Sequence, residues 1–468
     1  MKRYRMSDWL FERQEETRLR HIPRPARKIL LGFALLIVLG ALLLHLPMSS
    51  RAGTQTDLLA CVFTATSATC VTGLVVVDTW SHWSLLGQCV ILALIQIGGL
   101  GFLSIAAVVS FVLGRRISMR ERMEMSAALN MQELSGVIRL TRHVVITTFV
   151  LEGVGAVVLS TRFVPQFGLW EGIYRGVFHS VSAFCNAGFD LMGVKTPFSS
   201  LTSYVDDPVV NGTILLLIIV GGLGFYVWGD VASAIVSRRM RWQHLTVHTR
   251  LVLMTTGMLL LAGTLLFYGC ERTNPATLGT MNEGQRWMAS LFQSVTYRTA
   301  GFNTVDLGAV RDGTTLVSYA LMFIGGSPGS TAGGIKTTTL AIVVLSMVAT
   351  LTGKRDVNVF HRRIAPMAVR TAVTLVCLGI SISLVSAFVL IAADGVPMKQ
   401  ALFETTSAFA TVGLSMGYTS KLSAVSQLCL IAEMYIGRVG ILTLGLGLLT
   451  PRAAEPLYRY PETHIMIG

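Results

Sequence analysis

The chain has 468 residues, 52% of them hydrophobic and 13% charged, and its mean hydropathy is +0.62. A soluble globule would have too little polar surface, so the composition specifies a polytopic membrane protein whose first partner is the lipid bilayer. The net charge of +13 falls in short links beside apolar runs, which excludes nucleic acid as a partner, and the seven cysteines lack CxxC spacing, which excludes a disulfide framework and a zinc centre.

Residues 1–28 form a basic cytoplasmic segment. The apolar run from Ile29 carries no Lys, Arg, Asp or Glu before Arg51 and lacks a small-x-small cleavage site, so it reads as a retained spanning helix. Next comes FTATSATCVTGL, Phe63 to Leu74, which is too short and too polar to cross a bilayer, and then the uncharged run Leu85 to Leu113. This order of helix, re-entrant loop and helix recurs. After Arg115, Arg116, Arg120, Arg122, Arg139 and Arg142 come a span near Val144 to Ser160, FHSVSAFCNAGF (Phe178 to Phe189) and a span near Val209 to Gly229. After Arg238, Arg239, Arg241 and Arg250 come Leu251 to Cys270, LFQSVTYRTAGF (Leu291 to Phe302) and a span from about Thr314. After Lys354, Arg355, Arg362, Arg363 and Arg370 come Thr371 to Ala393, FETTSAFATVGL (Phe403 to Leu414) and a span near Ala424 to Thr450. The expected fold is therefore all-α, with eight spanning helices and four re-entrant loops around a central pore. Its units are 29–114, 115–237, 238–353 and 354–451, followed by a cytoplasmic tail, 452–468. The basic links share one side with both termini, which places the termini in the cytoplasm and the loops outside. Outer acids such as Asp57, Asp78, Asp190, Asp206, Asp207 and Asp306 either make a cation-attracting mouth or are solvated loop charge.

Each loop stops at one glycine: Gly73, Gly188, Gly301 and Gly413. A second glycine cluster follows in every unit, beginning at Gly98, Gly221, Gly325 and Gly437, which lie 25, 33, 24 and 24 residues beyond the loop glycine. Three of the four agree to within one residue and the outlier has the longest outer loop, so clusters at matching positions imply one ancestral unit. A cation entering low dielectric must have its water replaced, and inward-pointing backbone carbonyls supply the oxygens. The candidate filter residues are Cys70, Val71, Thr72 and Gly73; Cys185, Asn186, Ala187 and Gly188; Arg298, Thr299, Ala300 and Gly301; and Ala410, Thr411, Val412 and Gly413. Their side chains do not match between loops, which suits carbonyl ligation of K+. A single glycine per loop, against two in TVGYG, predicts fewer coordination layers and looser discrimination against sodium.

The motifs SATCVTGLVVVDT, QIGGLGF, HSVSAFCNAGF, DDP at Asp206 to Pro208, GGLGF, RTAGFN, GGSPGSTAGGIKTTT, ETTSAFATVGL and GRVGILTL together resemble the Trk/Ktr/HKT superfamily of potassium transporters, nearest to its Ktr membrane subunits. No extra helix pair precedes the first unit, which fits the Ktr branch. The resemblance implies M1-P-M2 repeats, a homodimer with one pore per subunit, a KtrA-like cytoplasmic nucleotide-binding ring as partner, and location in the inner membrane. It also raises sodium dependence.

GGSPGSTAGGIKTTT, Gly325 to Thr339, interrupts the second helix of the third unit. It is not a phosphate-binding loop, because Ile335 separates Gly334 from Lys336 and no strand precedes it. The resemblance implies an intramembrane gating loop, with Gly325, Gly326, Gly329, Gly333, Gly334 and Lys336 as its candidate residues; a glycine hinge with a snorkelling Lys336 is the plainer alternative. Arg438 lies inside the last apolar helix, where an ionisable group must face the pore or find a partner, so it is expected to act as a barrier below the filter. Glu433 is the alternative partner for it. Arg298 is expected to point behind the filter and brace its backbone. No GxSxG arrangement or His/Cys cluster supports an enzyme or an organic cofactor. The competing class is a secondary transporter of an organic solute built on broken helices.

Overall fold

The computed structural model describes residues 23–101, 137–194, 196–237 and 241–448. Residues 1–22 of the expected cytoplasmic N-terminal segment, the expected tail 452–468, residues 102–113 of the first unit's second span, and Arg115, Arg116, Arg120, Arg122, Arg238 and Arg239 lie outside the described residues.

In chain order, α1 (Pro23–His45) is followed by the short α2 (Leu58–Thr69) and by α3 (Leu85–Leu100). Then come α4 (Val137–Phe167), α5 (Leu169–Phe184), α6 (Pro208–Leu223) and α7 (Phe225–Val236). The next group is α8 (Val247–Glu271), α9 (Glu283–Thr296), α10 (Asp312–Phe323) and α11 (Thr337–Leu351). The chain closes with α12 (Pro366–Asp394), α13 (Met398–Ala410), α14 (Ala424–Val439) and α15 (Ile441–Leu448). Among the described residues α1, α4, α8 and α12 are each long and apolar enough to cross a membrane, and α6 with α7 forms a bent fifth candidate. Each long helix packs against the short one that follows it.

The burial pattern is that of a membrane protein with a structured interior. Leu31, Leu35, Val150, Leu261 and Phe388 on the long helices are exposed. The short helices are enclosed instead, and their leading aromatics Phe63, Phe178, Phe292 and Phe403 are all fully buried. Their hydroxyl-rich composition is tolerated because the helix satisfies its own backbone and several hydroxyls hydrogen-bond within the interior.

One expectation needs correction. The span read as continuous from Val209 to Gly229 breaks at Gly224, where α6 and α7 meet at 98°. Gly224 has φ 95° and ψ 141°, and the same conformation stops α3 at Gly101 (83°, 136°) and α14 at Gly440 (90°, 136°). A side chain in that region is strained, so glycine is required and the helix cannot continue. The interruption seen in the sequence of the third unit is thus a property shared by all four second helices. The fold is mostly helical as expected; between α11 and α12, Asn358–Val359 pairs antiparallel with Arg362–Arg363 across Phe360 and His361, both at positive φ.

Candidate ion filter and gate

The four filter stretches begin where the short helices end. In each, the residue two before the glycine is left-handed: Val71 (φ 58°), Asn186 (60°), Thr299 (65°) and Thr411 (53°). The glycines follow at φ 94°, 68°, 83° and 89°. One backbone fold therefore repeats four times, and it turns successive carbonyls out of the helical direction. A serine hydroxyl six residues before the glycine fastens two of these turns, from Gly73 N to Ser67 Oγ (3.0 Å) and from Gly413 N to Ser407 Oγ (3.1 Å). Ser182 Oγ donates to Phe189 O at 2.7 Å; in the third stretch, where the leading Phe is one residue closer to the glycine, Thr296 Oγ1 donates to Phe302 O.

The stretches close a ring. A Cβ at Gly73 would collide with the Ala187 carbonyl, and one at Gly188 would lie 2.6 Å from Cα of Gly301. A Cβ at Gly301 would lie 2.7 Å from the Val412 carbonyl oxygen, and one at Gly413 would strike that of Thr72. Stretch one thus meets two, two meets three, three meets four and four returns to one. Side chains at these glycines would fill the space between neighbouring backbones. The hydroxyls of Thr72, Thr299 and Thr411 are buried there without a protein partner.

The second glycine clusters have a physical cause. Gly98, Gly221 and Gly437 each lie against the carbonyl four residues before a filter glycine, namely those of Thr69, Phe184 and Phe409. A methyl group at any of them would push the second helix off the end of the short helix. Gly325 differs, because it abuts Gly333 within its own loop.

That loop, residues 324–336, lies against the second and fourth filter stretches. Thr331 Oγ1 donates to Phe184 O (3.2 Å), Gly333 lies against Thr411, and Gly334 against Ala410. It is also stitched to the Gly224 break: Ser327 N donates to Gly222 O (3.0 Å) and Phe225 N to Gly329 O (2.8 Å). Lys336 Nζ folds back to Ala332 O (2.6 Å), so its charge serves the loop's own backbone. Arg438 donates to the carbonyls of Thr331, Gly98 and Gly99. Its guanidinium joins the loop to the end of α3, and Glu433 takes no part in this. Arg298 donates to Gly325 O (3.2 Å) and sits among Ile218, Gly222 and Thr256, behind the stretch it belongs to.

Several supporting residues carried no signal in the sequence reading. Arg175, fully buried, donates to Leu191 O (2.8 Å) and stacks on Trp80 and Phe167, holding the chain just beyond Gly188. Glu404, also buried, receives Ser415 Oγ (2.7 Å) and Met416 N (2.9 Å) beyond Gly413. The serine at minus six was findable, since it recurs at one offset in three stretches. Of the outer acids, Asp57, Asp78, Asp207 and Asp306 cap helices, and Asp207 also pairs with Arg162 at 2.8 Å.

Four short helices whose ends meet in a ring, enclosed by long apolar helices, define a multi-pass membrane protein. The sequence model of the TrkH cation transport proteins matches residues 23–451, and the chain belongs to that family. It is 42% identical to the potassium/sodium uptake protein NtpJ of Enterococcus hirae, over 96% of this chain and 99% of that one. It is 40% identical to the Ktr system potassium uptake protein B of Bacillus subtilis, over 95% and 97%. The crystal structure of the potassium transporter TrkH from Vibrio parahaemolyticus has the same fold, with TM-score 0.70 at 20% identity over 90% of this chain and 84% of that one.

Proposed function

We propose that the chain is the potassium-translocating subunit of a Ktr-type uptake system, built from four M1-P-M2 repeats with eight spanning helices. The closed ring of filter glycines is the observation that carries this reading. Carbonyls of Cys70 to Gly73, Cys185 to Gly188, Arg298 to Gly301 and Ala410 to Gly413 replace the water of K+, and the short helices turn the negative ends of their dipoles toward the ion. The loop from Gly325 to Thr339 and Arg438 form the gate below. Sodium enters as a second ion, a reading supported by the name of the Enterococcus hirae relative. The subunit works as a homodimer under a KtrA-like nucleotide-binding ring, with both termini in the cytoplasm. The test is potassium uptake into depleted cells that lack their own uptake systems, with a Ktr regulatory subunit supplied. The intact chain restores growth on low potassium, Gly73→Ser and Gly413→Ser lose affinity or selectivity, and Arg438→Ala gains rate. Failure of the intact chain to restore growth overturns the reading in favour of organic-solute transport.

A further inference from the structure

The residue after the leading Phe of each short helix is polar and enclosed: Thr64, His179, Gln293 and Glu404 are each 1% exposed or less. Burying a polar side chain is unfavourable unless it finds a hydrogen-bond partner, so each of the four needs a reason. In units two and four the partner is the chain that leaves the filter. Leu191 N donates to His179 Nε2 (3.3 Å), and Met416 N donates to Glu404 Oε1 (2.9 Å). In both units the acceptor lies nine residues before the filter glycine and the amide three residues after it. The His179 ring is fully used, because its Nδ1 donates to Arg175 O (2.8 Å) and leaves Nε2 as the acceptor. Arg175 donates to Leu191 O (2.8 Å) in turn, so both polar groups of Leu191 are held. Units one and three differ. The Thr64 hydroxyl and both polar atoms of the Gln293 amide have no hydrogen-bond partner among the described residues. The hydroxyl of Thr304, three residues after Gly301, has none either.

We propose, on the basis of the filter reading above, that His179 and Glu404 are positioning residues for the ion preference of the filter. They clamp stretches two and four, which stand opposite each other in the ring, while stretches one and three are left to yield. In a filter of carbonyl dipoles, preference for potassium depends on how far the backbone can close around a smaller ion. A stretch tied at its exit as well as at its helix closes less. Neither side chain reaches the ion; each acts through the amide it accepts. The rival role for His179 is packing, since its ring lies 5.6 Å from that of Phe163 and 6.3 Å from that of Phe302. The two roles make opposite demands on a substitute: packing needs a ring, and the clamp needs an acceptor.

The experiment therefore compares His179→Gln, which keeps an acceptor and a donor, with His179→Phe, which keeps a ring and has neither. Glu404→Gln and Glu404→Leu form the matching pair in unit four. Each full-length variant is expressed with a Ktr regulatory subunit in potassium-depleted cells. Rubidium uptake gives KM and maximal rate, sodium competition gives the ion preference, and immunoblots give abundance. His179→Phe and Glu404→Leu are expected to lower the potassium-to-sodium preference at least tenfold, with the KM moving far more than the maximal rate. The two glutamine variants are expected to stay within threefold of the intact chain. Equal preference within each pair overturns the proposal, and so does a phenylalanine variant that outperforms the glutamine one. If His179→Phe does not reach the membrane, the Glu404 pair decides by the same criteria. Failure of the filter reading shows differently, as an intact chain without potassium uptake or a Gly73→Ser variant with unaltered affinity and preference.

Discussion

Arg438 donates to the carbonyl of Thr331 from the far end of α14, across 107 residues of sequence. The same guanidinium holds Gly98 and Gly99 of α3, so one side chain pins the loop beneath the filter to the first unit. Hydrogen bonds from a charged donor contribute roughly 1.5–3 kcal/mol each, more than enough to bias a loop between two positions. Arg438→Ala is therefore expected to raise the maximal rate of potassium uptake several-fold with little change in selectivity. Arg438→Lys should be intermediate, because one ammonium cannot reproduce the planar fork. Uptake rates in depleted cells, normalised to membrane abundance, decide this; an unchanged or lower rate in Arg438→Ala removes the gate from this position.

Gly73 faces stretch two and Gly413 faces stretch one, both at positive φ. Alanine at either meets two obstacles, the strained backbone and a neighbouring carbonyl, each costing about 1 kcal/mol or more. The ring must open to accommodate it. Gly73→Ala and Gly413→Ala are expected to raise the KM for potassium at least tenfold and to lower the potassium-to-sodium preference. Competition of sodium with rubidium uptake reads both effects.

Gly98 and Gly153 make a controlled pair, since both lie within helices. A Cβ at Gly98 would overlap the Thr69 carbonyl, whereas one at Gly153 meets nothing within 4 Å. Gly153→Ala should stabilise the protein by about 0.5–1 kcal/mol through helix propensity alone. Gly98→Ala should destabilise it and reduce uptake, because α3 is driven from the end of α2. Thermal unfolding in detergent, followed by tryptophan fluorescence, separates the two.

Glu152 of α4 receives Gln96 Nε2 at 3.1 Å, and the Cys185 thiol lies 3.8 Å from its other oxygen. A carboxyl from one unit and an amide from another thus meet behind the first residue of filter stretch two. Glu152→Gln keeps the shape and removes the acid, and several-fold weaker potassium affinity is expected with normal abundance. Glu152→Ala leaves the Gln96 Nε2 donor without this acceptor in the interior and should lower abundance as well. Quantitative immunoblots beside transport kinetics distinguish the two outcomes.

The four long helices, each followed by a short one that ends at a glycine-bearing stretch, were legible because apolar length and the position of one glycine are linear properties of a chain. Helix, loop and helix could be counted, and the spacing from Gly73 to Gly98 already carried the contact with Thr69. What stayed hidden depends on conformation. Val71 in a left-handed turn has no compositional signature, since valine is among the residues least suited to it. The break at Gly224 was obscured by apolar sequence on both sides of it. Arg438 was recognised as an anomaly, yet its partners Thr331, Gly98 and Gly99 contribute backbone carbonyls, which every residue type possesses.

Asp190 follows Gly188 by two residues, where the chain leaves the second filter stretch. Burial raises its carboxyl and the neighbouring Asp78 raises it further; the Met192 amide and Arg175 pull it down, and the balance leaves it at about 7. A carboxyl raised this far is charged above pH 7 and neutral below it, so Asp190 contributes negative charge beside the second stretch only at neutral to alkaline pH. The other stretches place Val75, Asn303 and Ser415 at this offset, none of them ionisable in this range. Potassium affinity is therefore expected to fall as external pH drops through about 7, with Asp190→Asn fixed at the low-affinity level and insensitive to pH. The check is KM for potassium from pH 5.5 to 8.5 in intact cells with internal pH clamped. A variant that keeps the wild-type pH profile transfers the effect to another group, while a flat wild-type profile leaves Asp190 outside the path of the ion.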